Sequence, residues 1–260
     1  MRRLRCTIAA TGLAAAAIGP AVARAQQPAA SEPAARKPAT WEPARDARFW
    51  GLSAVLVAAT LPFDQSLRHA ALGHRSHLAD AIASDVDPLG RAHDVLPALA
   101  VAVVAPRLAG RRALSDAALR IGLSYLAADA VESVLKPAVG RHRPSDGRGS
   151  LRFQPFSNLD EWHAFPSAHV AHVFAIAAGL AGETRRPWIA GVAYGVAGVV
   201  GAQRVYRNAH WSSDVVGTAA LAVATASTTD AWLRRSGLTR ALPPARLGWT
   251  PGGVTLTWPF

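Results

Sequence analysis

Cysteine is nearly missing from this chain. Cys6 is the only one in 260 residues, and it lies in an amino-terminal stretch that reads as a cleaved export signal. The remainder has no thiol for redox or nucleophilic chemistry and no disulfide, so packing alone must hold it together. Acid is scarce as well: 17 Asp and Glu face 28 Lys and Arg, a formal charge of +11. Aromatic residues make up 7%, and none are interleaved with Lys or Arg as a base-stacking surface requires. Nucleic acid is therefore not an expected partner, and the surplus charge suits a phosphorylated substrate better. No His-Glu-x-x-His pattern occurs. His169 and His172, three residues apart, come nearest to a metal pair, but Asp214 is better explained as a partner of His210 than as a third ligand. Long hydrophobic runs are missing too. The best apolar stretch, residues 187–203, is 17 residues rich in Gly and Ala, short of the roughly 20 that a membrane span needs.

The layout of the chain follows from its punctuation. Residues 1–25 combine Arg2, Arg3 and Arg5, an apolar run over 8–18, and Ala23-Arg24-Ala25, the pattern of a secretory signal. Its removal takes away four arginines and no acid, lowering the formal charge from +11 to +7. Residues 26–48 carry Pro28, Pro33, Pro38 and Pro43 and read as an extended linker. Residues 49–237 read as a helical domain, with helices predicted at 50–61, 95–105, 115–135, 167–181, 187–203 and 213–233. Residues 64–94 and 146–163 show no regular pattern. In the tail, residues 238–260, alternation around Pro251-Gly252-Gly253 predicts a short β-hairpin. The expected fold is thus all-α, a bundle of about five to six helices with a C-terminal hairpin. Arg107, Arg111, Arg112, Arg185, Arg186, Arg234 and Arg235 cluster at alternate helix ends. The positive-inside tendency then inclines the reading towards a membrane-embedded bundle with its other end facing the periplasm.

Against these absences stand three short strings: Lys136-Pro-Ala-Val-Gly-Arg-His-Arg143-Pro144, Pro166-Ser167-Ala168-His169, and Arg204-Val-Tyr-Arg-Asn-Ala-His210-Trp-Ser-Ser-Asp214. Each has an ordinary reading. Lys136 and Arg143 near a helix end suit phosphate oxygens, but also suit plain solvation. Ser167 is a natural helix N-cap. The same geometry would let the N–H groups of Ser167, Ala168 and His169 cradle an anion, with His169 in the first turn to protonate a leaving oxygen. His210 and Asp214, four apart, share a face if helical, so the carboxylate would orient the imidazole. Otherwise Asp214 is an N-terminal helix acid beside a chance histidine. His163 and Trp162 suit the entrance of a site, His172 suits a helix face, and His69, His74, His77 and His93 suit the surface.

Together and in this order, Lys-x6-Arg-Pro, Pro-Ser-x-His and Arg-x5-His-x3-Asp resemble the type 2 phosphatidic acid phosphatase superfamily. That superfamily also includes bacterial nonspecific acid phosphatases and vanadium haloperoxidases. The resemblance runs over roughly residues 90–235. It implies that Lys136, Arg143, Arg204, Ser167 and the backbone of Ala168 bind phosphate. It further implies that His210 attacks phosphorus, Asp214 holds His210, and His169 protonates the leaving group. Two positions depart from the pattern: Ala168 stands where Gly is common, and Gln203 where Ser is common before the arginine. The implied activity is a phosphatase needing no metal or cofactor, working through a phosphohistidine on the periplasmic side. Its partners would be a phosphorylated small molecule or a lipid phosphate, with membrane contact. The alternatives left open are a soluble periplasmic acid phosphatase, a vanadate-dependent haloperoxidase, for which the chain looks short, and a lipid-headgroup sensor without turnover.

Overall fold

A computed structural model describes residues 42–184, 186–240, 246–250 and 253–257. Its helices are α1 (Ala47–Thr60), α2 (Asp64–Gly73), α3 (His77–Asp85), α4 (Ala92–Leu108), α5 (Arg112–Val139), α6 (Ala168–Glu183), α7 (Pro187–Tyr206) and α8 (Ser212–Ser236). Local chemistry sets several of the ends. Asp46 accepts the Arg48 N–H at 2.9 Å, and the Ser76 hydroxyl accepts that of Ala79 at 3.2 Å, each satisfying a donor that the first turn leaves open. Pro187 begins α7, where its missing N–H costs nothing. Gly140 and Gly237 end α5 and α8 in the left-handed conformation.

α6 packs against α5, α7 and α8, while α4 lies on α5 and α1 on α8. The buried residues between these helices are small: Ala128, Ala175, Ala178, Val223 and Ala226 in one cluster, and Val173, Ala177, Ala197 and Val200 in another. Small side chains let helix backbones approach closely, and close packing leaves no slack. A Cβ at Gly179 would lie 2.9 Å from Ile121 Cγ1.

One end of the bundle is held by ions. Arg120, near the start of α5, grips Glu183 at the end of α6 through two bonds of 2.7 and 2.9 Å, and Arg234 at the end of α8 joins the same carboxylate at 2.7 Å. The opposite ends of these helices carry the three strings. Among the described residues no single helix is long and apolar enough to cross a membrane. One bent pair, His77–Gly90 with Ala92–Leu108 at 55°, passes that test of length and composition together. Leu52 and Val55 on α1, Val101 on α4, and Val192 and Val199 on α7 nonetheless lie exposed.

The expected architecture is corrected on two points. The described residues hold eight α-helices rather than five to six, because α2 and α3 occupy part of the stretch that lacked a regular pattern. The predicted hairpin is no part of the bundle. Arg246–Thr250 and Gly253–Thr257 pair antiparallel, but they fall in a compact unit separate from the helical unit Trp41–Leu242. The fold is helical, with no strand in that unit among its described residues. The signal at 1–25 and most of the linker at 26–48 lie outside the described residues. The last part of that linker is ordered: Pro43–Arg45 form a 3-10 turn, and α1 starts at Ala47, where Asp46 supplies the cap.

The segment after α5 turns at Gly140 (φ +59) and runs back along itself. Gln154 N donates to Gly140 O at 2.7 Å, His142 N to Arg152 O at 3.0 Å, and Ala164 N to Arg141 O at 2.9 Å. A Cβ on Gly140 would run into the Gln154 carbonyl. Gly140→Ala is therefore expected to lower the unfolding midpoint. The left-handed backbone alone costs about 1–2 kcal/mol, and the clash adds to it. An unchanged midpoint in thermal unfolding would show that the turn relaxes freely.

Candidate active site

The three strings meet at one end of the bundle through their own hydrogen bonds. Arg204 closes α7, and the chain then turns so that Ala209 N and His210 N donate to the Arg204 carbonyl at 3.1 and 3.4 Å. Arg143 Nη1 reaches the Ala209 carbonyl at 3.3 Å. His210 Nδ1 lies 2.6 Å from the carbonyl of Ala164, just ahead of the second string.

That last contact sets the chemistry of His210. A carbonyl only accepts, so Nδ1 carries the proton and the lone pair resides on Nε2. The ring is buried, and burial drives its pKa well below the usual histidine range. The charges of Arg143, Lys136 and Arg204 push the same way. His210 is consequently a neutral imidazole set among three cations. Lys136, in the last turn of α5, pairs with buried Glu132. Arg143 donates to Asp160 through Nε (2.8 Å, carbonyl) and Nη2 (2.9 Å, carboxylate).

Ser167 precedes α6 and is fully buried. Its N–H donates to Thr218 Oγ1 at 3.0 Å, so the expectation of a free N–H there is corrected. Its hydroxyl makes no cap bond and is buried without a hydrogen-bond partner. Ala168 and His169 occupy the first turn of α6, whose N–H groups lack intrahelical acceptors. His169 Nε2 is also buried without a hydrogen-bond partner. Burial, with Arg204 nearby, draws its pKa down to about 4, while Asp87 pulls the other way.

Asp214 is placed differently from the expected pair with His210. Its Oδ2 accepts the Trp211 N–H at 2.9 Å and its Oδ1 accepts Arg141 Nη1 at 2.5 Å. Four-residue spacing makes two side chains neighbours only within a helix, and His210 lies in the turn before α8. Asp214 instead secures the start of α8 and the turn that carries His210.

Four residues absent from the sequence-based site complete the arrangement. Arg141, inside the first string, is buried and bonds Asp214, Ser213 Oγ (2.8 Å) and Asp64 (2.8 Å). Asp64, opening α2, also accepts the Ser213 N–H at 2.9 Å and the Ser212 hydroxyl at 2.6 Å. Asp87, in the 3-10 turn Asp87–Gly90, is ion-paired with Arg204. Gln203 donates to Asp87 (2.8 Å) and Ala83 O (2.9 Å), and accepts from Arg204 Nε at 2.6 Å. Its carboxamide therefore supports Arg204 from the position where Ser is common in the pattern. Two of the four had a sequence signal: Arg141 by its place between Lys136 and Arg143, and Gln203 by its place next to Arg204. Of the remaining histidines, His172 bonds Gly90 O and Asp129, each at 2.7 Å. His163 bonds Ser157 O at 2.8 Å, and His69, His74, His77 and His93 are exposed.

In structure, the chain is similar to a transmembrane PAP2 type phosphatidylglycerolphosphate phosphatase from Bacillus subtilis, at 19% identity and a TM-score of 0.59, over 75% of this chain and 96% of that one. It is also similar to LpxE from Aquifex aeolicus, at 19% identity and a TM-score of 0.47, over 64% of this chain and 94% of that one. No curated protein matches significantly. Residues 117–237, which take in all three strings, match the PAP2 superfamily.

Proposed function

We propose that the protein is a phosphatase that transfers phosphate from an ester to His210 and then to water. The observation that carries this reading is the His210 imidazole, neutral and fixed by Ala164 O with Nε2 free, among Lys136, Arg143 and Arg204. The three cations and the Ser167 hydroxyl hold the phosphate oxygens, joined by the Ala168 N–H, and stabilise charge on them as the reaction proceeds. The Nε2 lone pair of His210 forms the N–P bond while the bond from phosphorus to the leaving oxygen breaks. His169 gives its Nε2 proton to that oxygen. Water then attacks phosphorus and loses a proton to His169, the N–P bond breaks, and both histidines return to their starting states. Asp214 contributes by holding the turn at Trp211.

For the substrate we favour a lipid phosphate. The exposed apolar residues of α1, α4 and α7 support membrane contact, as does the similarity in fold to the transmembrane phosphatase from Bacillus subtilis. A cavity of about 510 Å3, walled by Leu67, Ile82, Val199 and Val205 and reaching Gln203 beside Arg204, adds an apolar surface near the site. The signal pattern at 1–25 and the arginines at the far helix ends favour a site on the outer face of the inner membrane.

Phosphate release in the presence of EDTA, with phosphatidate and p-nitrophenyl phosphate as substrates, tests the reading. Turnover that survives EDTA and favours phosphatidate is expected. Loss of activity in EDTA would overturn the metal-free route, and turnover of the soluble ester alone would overturn the lipid assignment.

A further inference from the structure

The turn Asp87–Gly90 lies outside the three strings and outside residues 117–237, yet it is built against the site at three points. Asp87 ion-pairs with Arg204, and its Oδ1 lies 3.5 Å from His169 Nε2. Gly90 faces the same imidazole: a Cβ there would come within 2.5 Å of His169 Cδ2 and 2.7 Å of its Cβ and Cγ. His172 clamps the turn from α6 by bonding the Gly90 carbonyl at 2.7 Å. A carboxylate in a phosphate-binding site repels the substrate, so its presence beside the cations calls for a compensating use.

We infer that Asp87 is a positioning residue, which aims the Arg204 guanidinium into the site and supplies the negative charge that keeps the proton on His169. The inference rests on His169 being the acid of the proposed reaction. The charged and titratable groups about His169 are Asp87 from the turn, Arg91 at its end, Arg204 from α7 and His172 from α6. Burial and the cations favour the neutral ring, and Asp87 is the one anion among these groups opposing them. Asp87 itself stays ionised: burial works against the charge, but bonds from Arg91 and Gln203 and the charge of Arg204 outweigh it, holding the carboxyl at about 2. An opposite charge within a few ångströms shifts a titrating group by about 1–3 units, so the interaction is large enough to govern when His169 can act as an acid.

The test is the pH profile of kcat together with an NMR titration of the His169 ring, in the wild type and in Asp87→Asn, Asp87→Glu and Arg91→Gln. Asparagine keeps an acceptor for Arg204 but removes the charge. The alkaline limb of the profile and the His169 titration are both expected to move to lower pH by about one unit or more. Asp87→Glu should restore both. Arg91→Gln removes a half-buried cation that itself pairs with Asp87, at 2.5 and 2.7 Å, and should move both to higher pH, which keeps the question answerable if Asp87→Asn does not fold. If neither quantity moves in Asp87→Asn or Arg91→Gln while phosphatase activity persists, the role of Asp87 is overturned and the phosphatase reading stands. If the ring titration moves but the rate profile does not, His169 is not the acid. In that case the reading beneath this inference falls with it.

Discussion

His210→Asn is expected to abolish phosphate release, with kcat falling by about 10^4-fold or more, the range seen when a nucleophile that works as part of a unit is removed. Asparagine isolates the chemistry well. Its amide can still donate to Ala164 O, as Nδ1 of the imidazole does, so the turn between Arg204 and Trp211 keeps its closure. What it lacks is a nucleophilic lone pair at the Nε2 position. The cations Lys136, Arg143 and Arg204 are untouched, so the variant should still bind inorganic phosphate about as tightly as the wild type. Steady-state rates alongside phosphate binding by calorimetry check both halves. A variant that turns over normally would remove His210 from the reaction, whereas one that loses binding along with rate would point to a collapsed site instead.

Arg141→Leu should produce the largest loss of stability. Arg141 is buried and bonds Asp64 at 2.8 Å, Asp214 at 2.5 Å and Ser213 at 2.8 Å. Deleting it leaves two buried acids facing each other's charge without their cation. Breaking a buried pair from one side costs about 3–5 kcal/mol, enough to unfold many domains at moderate temperature. The loss is pH-dependent with a definite sign. Burial already pushes Asp214 up to about 7 against the pull of Arg141. A folded-state carboxyl above its unfolded value binds more protons when folded, so stability is fully present below the unfolded value, near 4, and falls as pH rises towards the folded one. Without Arg141 that folded value rises further. Up to about pH 7 the carboxyl is protonated in both folded proteins and both lose stability with the same slope, so the variant's deficit is expected to widen above about pH 7, where only the wild-type carboxyl ionises. Unfolding midpoints from about pH 5 to 9 measure this, and a deficit independent of pH would mean that lost packing, not charge, is the cause.

Much of the helical scaffold was legible because it depends on local signals. Long apolar stretches broken by Pro, Gly and polar runs marked α5 to α8, and the ordered strings marked the residues that converge at their ends. α2 and α3 were not legible: ten and nine residues long, they are too short for their patterns to stand out amid histidine and acid. The ends of α5 also ran further than expected, to Val139, because Pro137 lies in its last turn, where losing one hydrogen bond is cheap.

The sequence by itself determined which groups can do chemistry here: the histidines, the three cations, the serine, and the order in which they are strung. Those properties belong to residue identity and short spacing. Tertiary structure alone decided how each group is used. Asp214 turns to Arg141 and the Trp211 N–H rather than to His210, because a turn and not a helix separates the two. Ala164 O selects the His210 tautomer from 46 residues away. Asp64 and Asp87 reach the site across separations of 77 and 117 residues to Arg141 and Arg204. No local pattern distinguishes these acids from any solvated aspartate. Their significance arises only where packing removes water and leaves cations within reach, Arg141 for Asp64 and Arg91 with Arg204 for Asp87.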